Sequence, residues 1–261
     1  MAKFTVTQER DVAPSETYPA PFTIVAGWYE ARLVSPRTYS TWLVRADLED
    51  GTTLTWDGLH GDEGVYVVSG AVDLDGRVCP TDGAVILESG TACRARAVGA
   101  TSIVHVGPYA IDPPEGGLYG APASGRHGVH VVGPGGWFAS GDRERVHARW
   151  FADSTCPTCR ISFFHVDLRE GNRKDIPHTH TQDEIIYILE GSIVFAQKEH
   201  GPGTALAIPA NMRYSVTTGP NGMRFLNYRR DVSVQGYGKV KEPELEGGLA
   251  RGGTEVADFV R

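Results

Sequence analysis

Apolar residues along the chain come in short bursts rather than at helical spacing. In the first half the bursts are Trp42 to Leu48, Val65 to Val68, Ala84 to Leu87 and Ser102 to Val106. In the second they are Ile161 to Leu168, Ile185 to Leu189, Ile193 to Ala196, Ala205 to Ile208 and Phe225 to Tyr228. Each is rich in β-branched or aromatic residues and bounded by Gly, Pro, Asn or Asp, which is the pattern of a strand closed by a turn. No stretch of 12 residues sustains a helical period. Many short strands at regular spacing predict an all-β sandwich or closed barrel, since closure removes the unpaired edges such strands would otherwise leave.

The pattern occurs twice. Ala46-Asp47-Leu48-Glu49-Asp50-Gly51 matches Val166-Asp167-Leu168-Arg169-Glu170-Gly171 at an offset of 120 residues. Asp62 to Gly70 parallels Asp183 to Gly191 one residue further out of step, and at the original offset the run after Gly83 parallels the run after Gly203. A repeat of this length predicts two copies of one strand programme, hence two barrels in tandem. Residues 1–40 read as an N-terminal arm lying on a barrel, 41–110 as the first barrel, 111–155 as a linker rich in Pro and Gly, 156–232 as the second barrel, and 233–261 as a solvated tail.

Composition narrows the partners. With 41% hydrophobic and 22% charged residues among 261, disordered and coiled-coil classes are excluded. The net charge is -7 and no Lys/Arg run is interleaved with aromatics, so no nucleic-acid or anionic-membrane partner is expected. No apolar run is long enough to cross a bilayer, which leads to the expectation of a cytoplasmic protein. Four cysteines are too few for a disulfide scaffold, and Cys156-Pro157-Thr158-Cys159 reads as a plain turn with two buried thiols.

The most informative stretch is Pro177-His178-Thr179-His180-Thr181-Gln182-Asp183-Glu184. On a strand, His178 and His180 share a face, so both imidazoles reach one metal ion, and Glu184 follows after a short turn to add a carboxylate. Two imidazoles and one carboxylate with open positions form the set associated with non-haem iron oxygenases, and it also tolerates Mn, Ni, Cu or Zn. In its spacing, Gly171, His178, His180, Glu184 and Gly191 resemble the first motif of the cupin superfamily. Gly203 and Pro209 agree with the second motif, whereas Asn211 stands where that family usually has Gly and Tyr214 where it usually has a third ligand His. The resemblance implies two tandem cupin-type jelly-roll β-barrels, a bicupin, with a metal at His178, His180 and Glu184.

Tyr214 admits three readings: a substrate-facing or proton-passing catalytic group, a phenolate ligand, or the mark of a site that has lost affinity. The first is the expectation, because a neutral phenol is a poor ligand with a reference pKa of about 10. In the first half, Asp57 and Leu59 stand at the two His places, so that barrel reads as degenerate and structural; His60 with Glu63 offers too few donors. His165 reads as an interface residue, and His105, His127, His130, His147 and His200 as surface or packing residues. The overall expectation is a metal-dependent enzyme, a non-haem iron dioxygenase-type oxidoreductase using Fe(2+) on a small-molecule substrate, working as a homodimer. A metal-dependent lyase or isomerase, or a metal-binding or small-molecule-binding sensor without turnover, uses the same residues.

Overall fold

The computed structural model describes residues 3–111, 128–153, 158–231 and 233–256. Regular structure among them is almost wholly antiparallel strand, with one 3-10 turn at Glu9–Asp11. Among the described residues no helix is long and apolar enough to cross a membrane. Two nine-stranded sheets and one of three strands account for the elements.

The duplicated sequence produces duplicated pairing. In the first sheet Glu63–Leu74 lies between Ala84–Leu87 and the long strand Ala92–Pro108, with Glu63 opposite Leu87. In the second, Glu184–Phe195 lies between Thr204–Ile208 and Thr217–Arg229, with Glu184 opposite Ile208. Both central strands have 12 residues, so the runs read separately as Ile185 to Leu189 and Ile193 to Ala196 are one strand that bends. The bend is at Gly191, with its counterpart at Gly70; their φ values are +68° and +80°, and register shifts occur at both. A Cβ on Gly191 would come within 2.2 Å of the Gly222 carbonyl oxygen, so only glycine fits.

The first core packs Trp42, Trp56, Val65, Val67, Leu87 and Ile103 inside one sheet, and another packs Phe164, Ile186, Ile188, Leu206 and Phe225 inside the other. Between them lies a shared cluster that joins Leu43, Tyr66 and Ile86 to Phe163, Ile185 and Tyr228. The close approach is made at Gly64, where a Cβ would lie 2.9 Å from the Phe163 ring. Arg224 joins the same seam through polar contacts, to His165 Nε2 at 2.9 Å and to Asp82 Oδ1 at 2.7 Å. His165 therefore sits between the two barrels.

Three segments differ from the sequence reading. The stretch 111–155 is not merely a linker: Val129–Val132 extends the first sheet, while Phe138–Ser140 and Val146–Ala152 extend the second. Pro and Gly punctuation masked these strands, each of which gains ladder hydrogen bonds by covering a sheet edge. The N-terminal arm is divided, since Thr5–Gln8 pairs with Thr204–Ile208 in the second sheet while Tyr29–Leu33 pairs with Thr41–Leu48 in the first. In the tail, Val234–Gly236 pairs with Thr179–His180 and Glu244–Leu245, so this segment is structured and lies against the histidine motif.

Candidate metal centre

The two histidines are held by backbone pairing on both sides of the strand they start. His178 makes an isolated antiparallel bridge with Tyr214, their N–H groups donating reciprocally at 2.9 and 3.0 Å. Thr179–His180 then pairs with Val234–Gly236. Alternation brings both imidazoles to one side, with ring centroids 4.9 Å apart. Glu184 opens its strand directly opposite Arg229, and two residues on, Ile186 faces Asn227. All six of His178, His180, Glu184, Tyr214, Asn227 and Arg229 line one cavity of about 210 Å³.

Hydrogen bonds fix each group. His178 Nδ1 lies 2.6 Å from the Ile176 carbonyl oxygen, and His180 Nδ1 lies 2.7 Å from Glu246 Oε2. Each acceptor holds a ring proton on Nδ1 and leaves the Nε2 lone pair for another partner, an outer-shell arrangement typical of metal-ligating histidines. Glu184 Oε1 accepts from Arg229 Nη2 and from Asn227 Nδ2, both at 2.5 Å, and Oε2 accepts the Tyr214 hydroxyl. Arg229 also meets Glu246 through Nη1 at 2.9 Å, and Arg251 meets Glu246 at 2.8 Å.

Burial and charge set the ionisation states. Burial alone would raise the Glu184 carboxyl, but the Arg229 charge and the hydrogen bonds from Tyr214 and Asn227 outweigh it and hold the group far below the usual carboxylate range. Glu246 behaves alike: burial raises it, yet Arg229 and His180 bring it down to about 2. Burial, then the Glu184 charge, pushes the Tyr214 phenol well up, so its proton stays on oxygen. Burial lowers His178, which favours the neutral ring.

Three donors therefore converge. His180 Nε2 lies 3.5 Å from Glu184 Oε2 and 3.1 Å from the Tyr214 hydroxyl oxygen. The single Tyr214 proton goes to Glu184, so the His180 and Tyr214 lone pairs face each other, a convergence that suits a cation. Arg229 Nη2, 3.3 Å from His180 Nε2, brings positive charge to this place. His178 stands further off. Among the described residues, the set of three His, Cys, Asp or Glu side chains with ligand atoms all within 4.8 Å of one another is Glu88, His130 and Cys159. The ligand atoms of His178, His180 and Glu184 do not all lie within that distance of one another.

Sequence reasoning missed Asn227, Arg229 and Glu246. The alternation Phe225, Asn227, Arg229 was the available signal for the first two, because Phe225 lines the same cavity and period two carries that face onward. Glu246 belongs to the tail read as solvated, and no local pattern reveals it. In the first barrel the corresponding Glu63 accepts from Trp56 Nε1 at 2.7 Å and from His105 Nε2 at 2.8 Å, and His105 Nδ1 lies 3.1 Å from the Tyr18 hydroxyl. His105, read as an ordinary packing residue, is thus a fully buried member of a polar network. His60 is turned away, with its ring nitrogens 2.6 Å from the Gly61 and 2.8 Å from the Thr91 carbonyl oxygens. The reading of two buried thiols at the CxxC also changes, since Cys159 is disulfide-bonded; Cys156 lies outside the described residues.

Paired antiparallel sheets of this topology, with a polar cluster inside the second barrel, define the all-β jelly-roll fold of cupin-type proteins. Among solved structures, a deletion variant of Bacillus subtilis oxalate decarboxylase superposes with a TM-score of 0.62 at 15% identity, covering 88% of this chain and 78% of that one. A Pseudomonas aeruginosa protein described as glyoxylate-induced superposes at 0.63 and 17%, covering 87% and 89%. A third structure, from work on the Mn(II) centres of Bacillus subtilis oxalate decarboxylase, superposes at 0.56 and 16%, covering 88% and 78%. No protein-family model and no curated protein sequence matches the chain. At these identities the likeness is one of fold.

Proposed function

We propose that the chain is a metal-dependent cupin enzyme acting on a small anionic organic molecule, its divalent ion held by His178, His180 and Glu184 in the second barrel. The observation that carries this reading is His180, with Nδ1 on Glu246 and Nε2 turned toward Glu184 and Tyr214. When bound, the ion would supply Lewis-acid polarisation of a substrate oxygen. Arg173 and Arg251 in the cavity lining attract a carboxylate, and Trp150, Phe164, Ile186 and Phe225 in the same lining are apolar. The neutral Tyr214 phenol, which keeps its proton, offers a hydrogen bond to the reacting group, and Arg229 keeps Glu184 ionised beside it.

This assignment of roles favours lyase chemistry, and the fold likeness to oxalate decarboxylase, a manganese protein, supports it. Oxidation by dioxygen at Fe(2+) is the second reading, favoured by the apolar wall, which admits a neutral diatomic gas. The same proposal assigns residues 41–110 to a barrel without metal and 156–232 to the metal-binding barrel, in a cytoplasmic homodimer. The test is metal analysis of protein purified without chelators, followed by a screen of small carboxylates with and without oxygen. One divalent ion lost in His180→Ala, with anaerobic turnover, supports the lyase reading; turnover that consumes oxygen transfers support to the second. An ion retained in both His180→Ala and Glu184→Ala rejects the assignment of ligands.

A further inference from the structure

A second group of donors lies outside the barrel centres, at the seam between the two sheets. Glu88 follows the strand Ala84–Leu87, and its N–H donates to the Gly128 carbonyl oxygen at 3.1 Å. His130 lies on the neighbouring strand opposite Ile86. Cys159 belongs to the segment that leads into Ser162–Leu168 of the second sheet. His130 Nε2 is 3.0 Å and Cys159 Sγ 3.3 Å from the same oxygen, Glu88 Oε1, and the Thr158 hydroxyl also donates to it. Glu88 is 1% and Cys159 2% exposed. A cavity of about 140 Å³ adjoins them, with Trp137, Phe138 and Phe151 in its wall.

One cysteine sulfur, one imidazole and one carboxylate at this spacing, with space beside them, form a donor set for a zinc-class cation once the sulfur is a thiolate. The His130 side chain is 32% exposed, which gives the ion a way in. Cys159, however, is disulfide-bonded, and a disulfide sulfur carries no proton to give up and is not the thiolate a metal requires. We propose that Glu88, His130 and Cys159 form a redox-gated binding site for a thiophilic divalent cation, closed when Cys159 is oxidised and opened by a dithiol reductant. This site is independent of the one assigned to the second barrel.

The chemistry balances. A dithiol gives two electrons and two protons to the disulfide; the Cys159 S–S bond breaks, each released sulfur becomes a thiol, and the reductant closes its own S–S bond. The cation then displaces the proton from Cys159 Sγ, and the His130 ring proton moves from Nε2 to Nδ1, freeing Nε2 to bind. Because Glu88 and His130 belong to one sheet and Cys159 leads into the other, the bound ion links the two.

The experiment uses the full chain, oxidised or reduced by a dithiol that is then removed anaerobically, and titrates Zn²⁺ against a chromophoric chelator. Reduced protein is expected to bind one equivalent more than oxidised protein. With Co²⁺ as the probe, that equivalent carries a thiolate-to-cobalt charge-transfer band. Cys159→Ser and His130→Ala should lose both the equivalent and the band, and Glu88→Gln, which keeps its shape, should weaken binding at least tenfold. Zinc should raise the melting temperature of reduced wild type more than that of oxidised wild type, and the difference should vanish in Cys159→Ser. Equal stoichiometry before and after reduction overturns the proposal, since it would place any ion on groups open in both states, such as the free thiols Cys79 and Cys93, as does an extra equivalent that survives both Cys159→Ser and His130→Ala.

Discussion

His165 makes the protein sensitive to acid at its inter-barrel seam. Its side chain is fully buried, and burial, followed by the charges of Arg149 and Arg224, lowers the imidazole to about 2. Unfolded, the ring titrates near about 6.5, so below that pH the unfolded chain takes up a proton that the folded chain refuses. Stability from this group is fully present above about pH 6.5 and falls by about 1.4 kcal/mol for each further unit of acidification until the folded ring itself protonates. Between pH 7.5 and pH 5.0 the loss is about 2 kcal/mol, a figure that hardly depends on the folded value because the ring stays neutral throughout. His165→Gln removes the titration and keeps an acceptor for Arg224. Urea midpoints of both proteins at the two pH values give a double difference in which the fixed cost of the substitution cancels. Wild type should lose about 2 kcal/mol more than the variant over this interval. Equal losses would mean that His165 takes up a proton in the folded protein as readily as in the unfolded one, and that burial does not hold the imidazole of the seam neutral.

Tyr214→Phe should retain the metal, measured by elemental analysis, and reduce turnover, because only the proton-bearing hydroxyl is lost; if metal is lost instead, Tyr214 is a ligand. Glu246→Gln should weaken metal binding roughly 10–100-fold in a chelator competition, since it removes the carboxylate that orients His180. Arg229→Met should lower stability by about 3–5 kcal/mol in denaturant titrations by leaving Glu184 and Glu246 buried without their shared cation. A change below about 1 kcal/mol would mean that water already screens the pair.

Much of this architecture could be read because the sequence states it twice. Gly70 and Gly191 are spaced alike from Glu63 and Glu184, and the structure bends both strands at those glycines. The histidine motif was legible for a similar reason: its donors lie within seven residues, His178 to Glu184, so local alternation places them. What surrounds them was not legible. Arg229 reaches Glu184 across a strand pair 45 residues apart in sequence, and Glu246 reaches His180 from 66 residues away. Alternation through Phe225 and Asn227 marks the face on which Arg229 lies but not the partner it meets, and in a tail rich in Glu and Lys a carboxylate that will be buried looks like any solvated one. The strands between 128 and 153 escaped notice because their partners are edges made elsewhere in the chain.

The strand Thr5–Gln8 has a temporal consequence. Thr5 pairs with Ala207 and Gln8 with Thr204, so this strand cannot be placed until about two hundred further residues exist. At ribosomal speeds the wait is roughly 10–40 s. Meanwhile the first barrel can close on its own local pairings, while the leading strand stays free beside it. When the second sheet forms, that strand covers the outer edge of Thr204–Ile208, and the Glu9 carboxylate accepts the Tyr187 hydroxyl. A strand made some two hundred residues before its partner is thus among the last to settle, and its docking closes an edge that would otherwise be open to pairing with another nascent molecule.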